Sequence, residues 1–240
     1  MAAVLIGASV GLYGLLFACF HDLRHIWLWA LTSLAFLPLS VLVVTVFVDR
    51  LLSYRDRALR MDKLNMLIGA FFSTLGTSLL GRFAAWDPAV GELQAAFGRP
   101  EVWGPSFDER KARAQAARHS AELVPSRGEL AELRALLTAR ADFLIRLLEN
   151  PNLSQHEEFS DLLRAVLHLT EELANRSDLS AIPDSDLRHL AADARRAYNL
   201  LITEWVMYVA YLQDHFPYLF SLAVRLNPLD TAATPVVGKD

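Results

Sequence analysis

From residue 2 to residue 48 apolar side chains follow one another almost without interruption, broken only by His21-Asp22-Leu23-Arg24-His25. Beyond Val48 charged and apolar residues alternate at helical spacing instead. Residues 2–20 and 26–48 each match the ~20 residues an α-helix needs to cross ~30 Å of hydrocarbon. A secretory signal would require a basic start and a shorter apolar core, and the chain has neither. The pattern therefore predicts a transmembrane hairpin over 1–48, with spans at 2–20 and 26–48. The spacing Gly7-xxx-Gly11 offers a small face for helix contact. Pro38 removes one backbone donor from the second span, so Ser40, Thr32 or a neighbouring helix is expected to satisfy the freed carbonyl.

The same helix is expected to continue past the bilayer as a basic juxtamembrane segment, 49–65, with Leu52, Leu59 and Met66 seven residues apart. Residues 66–83 are apolar enough to imitate a third span. However, Leu67, Phe71, Leu75 and Leu79 form one row with Ile68, Phe72, Leu80 and Phe83 beside it, while Gly69, Ser73, Thr74, Thr77, Ser78 and Arg82 fall on the other side. One-sided burial at helical period predicts a core helix of a water-soluble domain, a membrane-dipping course being the alternative.

Residues 84–126, rich in Pro and Gly, predict a short helix near 88–97, a loop, and a charged helix over 108–123. Three longer helices follow. Ser126-x-x-Glu129 reads as a capping box opening a helix to about Glu149, and Ser154-x-x-Glu157 as a second one. Asp184 or Ser185 is expected to cap a last long helix reaching about Asp214, with rows Leu187/Ala194/Leu201/Tyr208 and Ala191/Tyr198/Trp205/Leu212. No segment alternates as a strand would. The expected fold class is all-α: a two-helix transmembrane hairpin, then a cytoplasmic helical bundle over 66–230, then a disordered tail over 231–240.

Charge sets the orientation. Arg24 is the one basic residue between the spans apart from histidines, whereas Arg50, Arg55, Arg57, Arg60 and Lys63 follow the second span. This places both termini in the cytoplasm and those five side chains at the lipid surface. The net charge of −4 leaves no basic footprint for nucleic acid. The single cysteine, Cys19, excludes a disulfide framework. Leu16-Phe17-Ala18-Cys19 imitates a lipid-acceptor site only loosely, and a buried thiol is the expectation there.

Candidate chemistry is sparse, and no catalytic residue or cofactor is assigned. His21, Asp22 and His25 can share a metal if helix continues through the turn, although polar residues belong at a hairpin turn in any case. His156, Glu157, Glu158, Asp161, His168, Glu171 and Glu172 lie on one predicted helix. There the nearest approach to a di-metal motif, His168-x-x-Glu171, is reversed and has no second copy, which reads as a solvated charged face. Glu204 is the only charge in the apolar run from Leu200 to Leu212 and is a candidate buried carboxylate, to be met by Arg188, His189, Arg195 or Arg196 from another element or subunit.

Three strings carry a resemblance: Phe36-Leu-Pro-Leu-Ser through Val-Thr-Val-Phe-Val-Asp-Arg-Leu-Leu52, Lys63-Leu-Asn-Met-Leu-Ile-Gly-Ala-Phe-Phe-Ser-Thr-Leu-Gly-Thr-Ser-Leu-Leu80, and Phe216-Pro-Tyr-Leu-Phe-Ser-Leu-Ala-Val-Arg-Leu-Asn-Pro-Leu229. The chain resembles an uncharacterised group of bacterial inner-membrane proteins built as a short hairpin followed by a helical domain. In that group an acidic residue often stands near Thr74, which implies a soluble helix there, and no activity or site residue comes with the resemblance. The leading expectation is a membrane-anchored, non-enzymatic sensor, adaptor or scaffold, partnered by the lipid bilayer and by a protein or a second copy of itself. A metal- or haem-binding redox protein and an oligomeric ion channel are the alternatives.

Overall fold

A computed structural model describes residues 2–20, 23–104 and 107–236, the side chains of 2, 3, 5, 20, 23, 25, 26, 52–62, 154 and 155 excepted. Among the described residues the chain is all helix and turn, with no strand. It divides into two compact units, Met1–Leu59 and Arg60–Asp240.

The N-terminal unit contains α1, Ala2–Phe20, and most of α2, Leu23–Phe71. Its described side chains are exposed on every side, with Trp27 at 70% and Phe47 at 68%; only Ala30 and Ser40 are half-buried. A Cβ added at Gly7, Gly11 or Gly14 would meet nothing within 4 Å, so that small face stands open. Cys19, expected to be buried, is exposed. Around Pro38 the hydroxyls do not act as expected. Ser40 donates to the Leu37 carbonyl at 2.8 Å and Thr32 donates to that of Leu28, so neither reaches Leu34, whose carbonyl a proline at 38 releases. Hydroxyls in helices bond back three or four residues, which takes Thr32 to Leu28 and Ser40 to Leu37, on either side of Leu34.

The C-terminal unit buries what the N-terminal unit displays. Leu64, Ile68, Phe71, Phe72, Leu75, Leu79, Leu80 and Phe83 all enter one hydrophobic core, as one-sided periodicity predicts. The helix there is not continuous, however. A π-turn over Phe72–Gly76 separates α2 from α3, Thr77–Trp86, and edges the Phe71 ring against that of Phe72. After α4, Val90–Leu93, and a second π-turn, the chain reaches α5, Glu109–Arg118, capped by Asp108, whose carboxylate accepts from the Lys111 amide. Residues 119–126 are not helical, and Val124 N–H donates to the Trp86 carbonyl.

The capping box opens α6, Arg127–Thr138, with both reciprocal bonds of Ser126 and Glu129 in place. The expected single helix to Glu149 instead breaks at Ala139-Arg140 and resumes as α7, Ala141–Leu148. The second expected box is corrected. A 3₁₀ turn over Pro151–Gln155 carries the chain two residues further, and His156 caps α8, Glu157–Ala174, by accepting the Phe159 amide on Nδ1 at 3.1 Å. Proline starts that turn because its fixed φ and missing N–H suit a first helical position.

α9, Asp184–His215, follows Pro183 and runs ~48 Å through the unit. It packs against α3, α5, α8 and α10, Pro217–Arg225, while α6 and α7 pack on α8. Ala112 and Ala116 keep α5 close to α9. Rings lock the centre: Phe71 meets Phe159 edge-on at 5.5 Å, and Trp103 meets Trp205 at 5.5 Å and 87°. Beyond α10, the fully buried Asn227 donates to the Phe97 and Gly98 carbonyls and accepts from Leu229 N–H. That close approach requires glycine at 98, since a Cβ there would lie 2.9 Å from the Leu229 oxygen.

Candidate functional site

α8 and α9 are joined by a short connection over 175–183, so the last half of α8 lies beside the first half of α9. Each helix presents a pair one turn apart on one face: His168 and Glu172 on α8, His189 and Asp193 on α9. Packing brings the pairs together. Asp193 Oδ2 lies 3.4 Å from His189 Nε2 and 3.6 Å from His168 Nε2, and His189 Nε2 lies 3.6 Å from Glu172 Oε2. One ligand atom each from Glu172, His189 and Asp193 falls within 4.8 Å of the others.

Asp193 is the least ordinary member. It is 4% exposed, and its Oδ2 accepts no hydrogen bond; Oδ1 lies 3.4 Å from the Arg196 guanidinium. A buried carboxylate oxygen without a partner costs free energy unless something cationic meets it. The surrounding shell is ordered. Arg176 grips Asp186 with two nitrogens, at 2.7 and 2.6 Å, and donates to Glu172 Oε2 at 2.8 Å. Hydrogen bonds from Arg176 hold both Glu172 and Asp186 below the usual carboxylate range, and Arg176 itself is held above its ordinary value, chiefly by Asp186. The sequence reading of this α8 face as solvated holds for Glu157, Glu158, Asp161, His168 and Glu171, which are exposed, while Glu172 is half-buried and lies 3.6 Å from His189 on α9.

Two further buried polar clusters occur. Asp87, at the end of α3, accepts from Ala89 N–H at 2.9 Å, bonds His119 Nε2 at 2.6 Å and receives the Tyr198 hydroxyl at 3.4 Å. Burial, and then the Asp87 charge, pushes the Tyr198 phenol up. The three residues tie the end of α3, the segment after α5 and the middle of α9 together. His119 also lines a cavity of about 510 Å³ with Glu92, Leu93, Lys111, Gln115 and Arg118.

Glu204 is buried in α9, with Oε1 making no hydrogen bond. Burial pushes its carboxyl up to about 8; the Glu158 charge adds to the rise and Arg113 opposes it. The neighbours expected for it, Arg188, His189, Arg195 and Arg196, are replaced by His156, whose Nδ1 lies 3.9 Å away, and by the Arg113–Glu158 ion pair. The reason is helical phase: residues 188–196 stand two or more turns from Glu204 on the same rod, whereas the start of α8 packs directly over it. Burial also lowers the His156 imidazole.

Of the other sequence candidates, His21 and Asp22 lie outside the described residues, and His25 is described only as helix within α2. Arg50 and Lys63 are exposed; Arg55, Arg57 and Arg60 belong to α2, with side chains outside the described set. Sequence reasoning missed His189 and Asp193 as partners of His168 and Glu172. The available signal was the repeated one-turn spacing, His-x-x-x-Glu and His-x-x-x-Asp, on two helices joined by a short loop.

The fold and these clusters define an all-α protein of two helical parts. Residues 60–225 match the family described as "Uncharacterized protein MJ1433, C-terminal helical domain", and residues 1–52 match "MJ1433, N-terminal helical domain". The chain belongs to this MJ1433 family. A relative, "Uncharacterized protein MJ1433" of Methanocaldococcus jannaschii, is 38% identical over 241 residues, covering 100% of this chain and 96% of the relative. That relative is archaeal, which widens the bacterial range the resemblance implied. No solved structure matches the chain.

Proposed function

We propose that this protein is a membrane-anchored, non-enzymatic sensor or adaptor. Residues 2–48 form the hairpin in the plasma membrane, both termini are cytoplasmic, and the C-terminal bundle binds a protein partner or a second copy. Its recognition site is the meeting of His168 and Glu172 with His189 and Asp193, because whatever binds there fixes α8 against α9 and is read by everything packed on them.

The observation that carries the anchoring is the N-terminal unit itself. Val4, Ile6, Val10, Leu12, Trp27, Leu31, Leu42 and Phe47 are all more than half exposed, around the full circumference of the helices. Water tolerates scattered apolar side chains but not a contiguous sleeve of them; lipid does. Trp27–Leu51 is long and apolar enough to span, and none of it is buried against the protein.

Fractionation tests the reading. Full-length protein is expected to sediment with membranes and to resist an alkaline carbonate wash, and a reporter fused after residue 236 is expected to be active only in the cytoplasm. A full-length chain that remains soluble without detergent, or a tail reporter active on the outside, overturns it.

A further inference from the structure

We propose that the bundle binds one divalent transition-metal ion of the zinc class between α8 and α9, ligated by Glu172, His189 and Asp193, with His168, which lies 3.6 Å from Asp193 Oδ2, the nearest side chain for a fourth position. This names the ligand of the recognition site in the sensor reading and rests on that reading only for what the binding is used for.

The distances carry the argument. Nitrogen and carboxylate ligands bind such ions at ~2.0–2.2 Å, so adjacent ligand atoms around a tetrahedral ion stand about 3.3–3.6 Å apart. Asp193 Oδ2–His189 Nε2, Asp193 Oδ2–His168 Nε2 and His189 Nε2–Glu172 Oε2 measure 3.4, 3.6 and 3.6 Å. These separations are longer than the ~2.7–3.2 Å of a well-formed N–H···O bond and of the length of tetrahedral edges.

The unpartnered Asp193 Oδ2 is an independent observation. It is shared by two of the three measured edges, is buried and accepts no hydrogen bond, so a cation held between it and the imidazoles would offset the cost of its burial. Two carboxylates offset the charge of a divalent ion, and two imidazoles favour zinc, cobalt, nickel or iron over magnesium or calcium. An outer shell is already built: Arg176, anchored on Asp186, orients the Glu172 carboxylate, and Arg196 lies beside the second oxygen of Asp193. The ligand spacing also explains why the site bridges two helices. Each helix supplies a one-turn pair, which alone gives a weak bidentate grip; closing the set requires α8 and α9 to hold one relative position.

The test uses purified full-length protein in detergent, stripped with EDTA and titrated with cobalt(II), then with zinc(II). The expected result is saturation at one ion per chain, the intense visible bands of four-coordinate cobalt, and their loss when zinc displaces it. Asp193→Asn, His189→Gln and Glu172→Gln are each expected to weaken zinc binding by about 100-fold or more, and His168→Gln by about tenfold with a change in the cobalt spectrum. Circular dichroism confirms that each variant is folded. If one is not, a zinc-dependent rise in the unfolding temperature of the wild type, absent in the others, carries the test. The His21→Gln/His25→Gln double variant is expected to bind as the wild type does. No saturable binding, six-coordinate cobalt bands, unchanged affinity in Asp193→Asn, or loss of binding in the double variant overturns the proposal. Metal binding is measured without reference to membranes or partners, so its failure leaves the anchoring reading standing, and the reverse holds equally.

Discussion

The two units are built from similar apolar residues and use them oppositely. In the N-terminal unit Leu, Val, Phe and Trp face outward on every side. In the C-terminal unit the same residue types fall on one face per helix, and Phe71, Leu79, Phe83, Phe159, Leu201 and Ile202 are fully buried. Composition alone does not separate the two, whereas polar periodicity does. A helix with a polar face declares which side meets water and buries the other against its own chain; a helix without one has to find a solvent that is itself apolar.

The sharpest contrast comes from truncating a buried ring. Phe159→Ala should destabilise the C-terminal unit by about 3–5 kcal/mol, read as a lower urea midpoint at unchanged m-value. The same change at Phe47, outside any core, should leave that midpoint where it was; equal losses would erase the distinction between the units.

A pH comparison probes the core next. The Glu204 carboxyl, raised to about 8 by burial from an ordinary value near 4.5, holds its proton more tightly in the folded than in the unfolded chain. Its contribution to stability is therefore fully present below about pH 4.5 and is lost as pH rises through about 8, a change on the order of 4–5 kcal/mol. Glu204→Gln should flatten that slope when unfolding is followed at pH 5 and pH 8.5. A slope that persists in the variant assigns it to another group.

Inserting a charge tests the sleeve. Leu42→Arg, at an exposed position within Trp27–Leu51, should, if that helix spans, cost about 2.5–3.5 kcal/mol of membrane insertion and lower the membrane-bound fraction. On a water-facing surface the same change would be neutral. The smallest effect concerns a helix end: Ser126→Ala removes the oxygen that accepts from the Glu129 amide and should cost about 1 kcal/mol in thermal or urea unfolding.

Much of the C-terminal unit was legible because the signals are local. Ser126 and Glu129 form their box within one turn, and the rows on α9 repeat within one rod. Where the sequence misled, a neighbouring element intervened. Ser154 has the spacing of a cap, but Pro151 starts a 3₁₀ turn that moves the helix start to His156. The expected helix through Glu149 breaks at Ala139-Arg140 with no proline or glycine to announce it.

The order of apolar and polar residues by itself determined that the regular elements among the described residues are all helices, where most of them begin, and which faces they bury, because these depend on contacts within a turn or two. Only the tertiary structure decided that Asp193 completes a set begun by His168 and Glu172, that Glu204 meets His156 rather than an arginine of its own helix, and that Asp87 takes His119 and Tyr198 as partners. Those contacts join residues 25 to 111 positions apart, and no periodicity along one rod encodes which face of another rod it will meet.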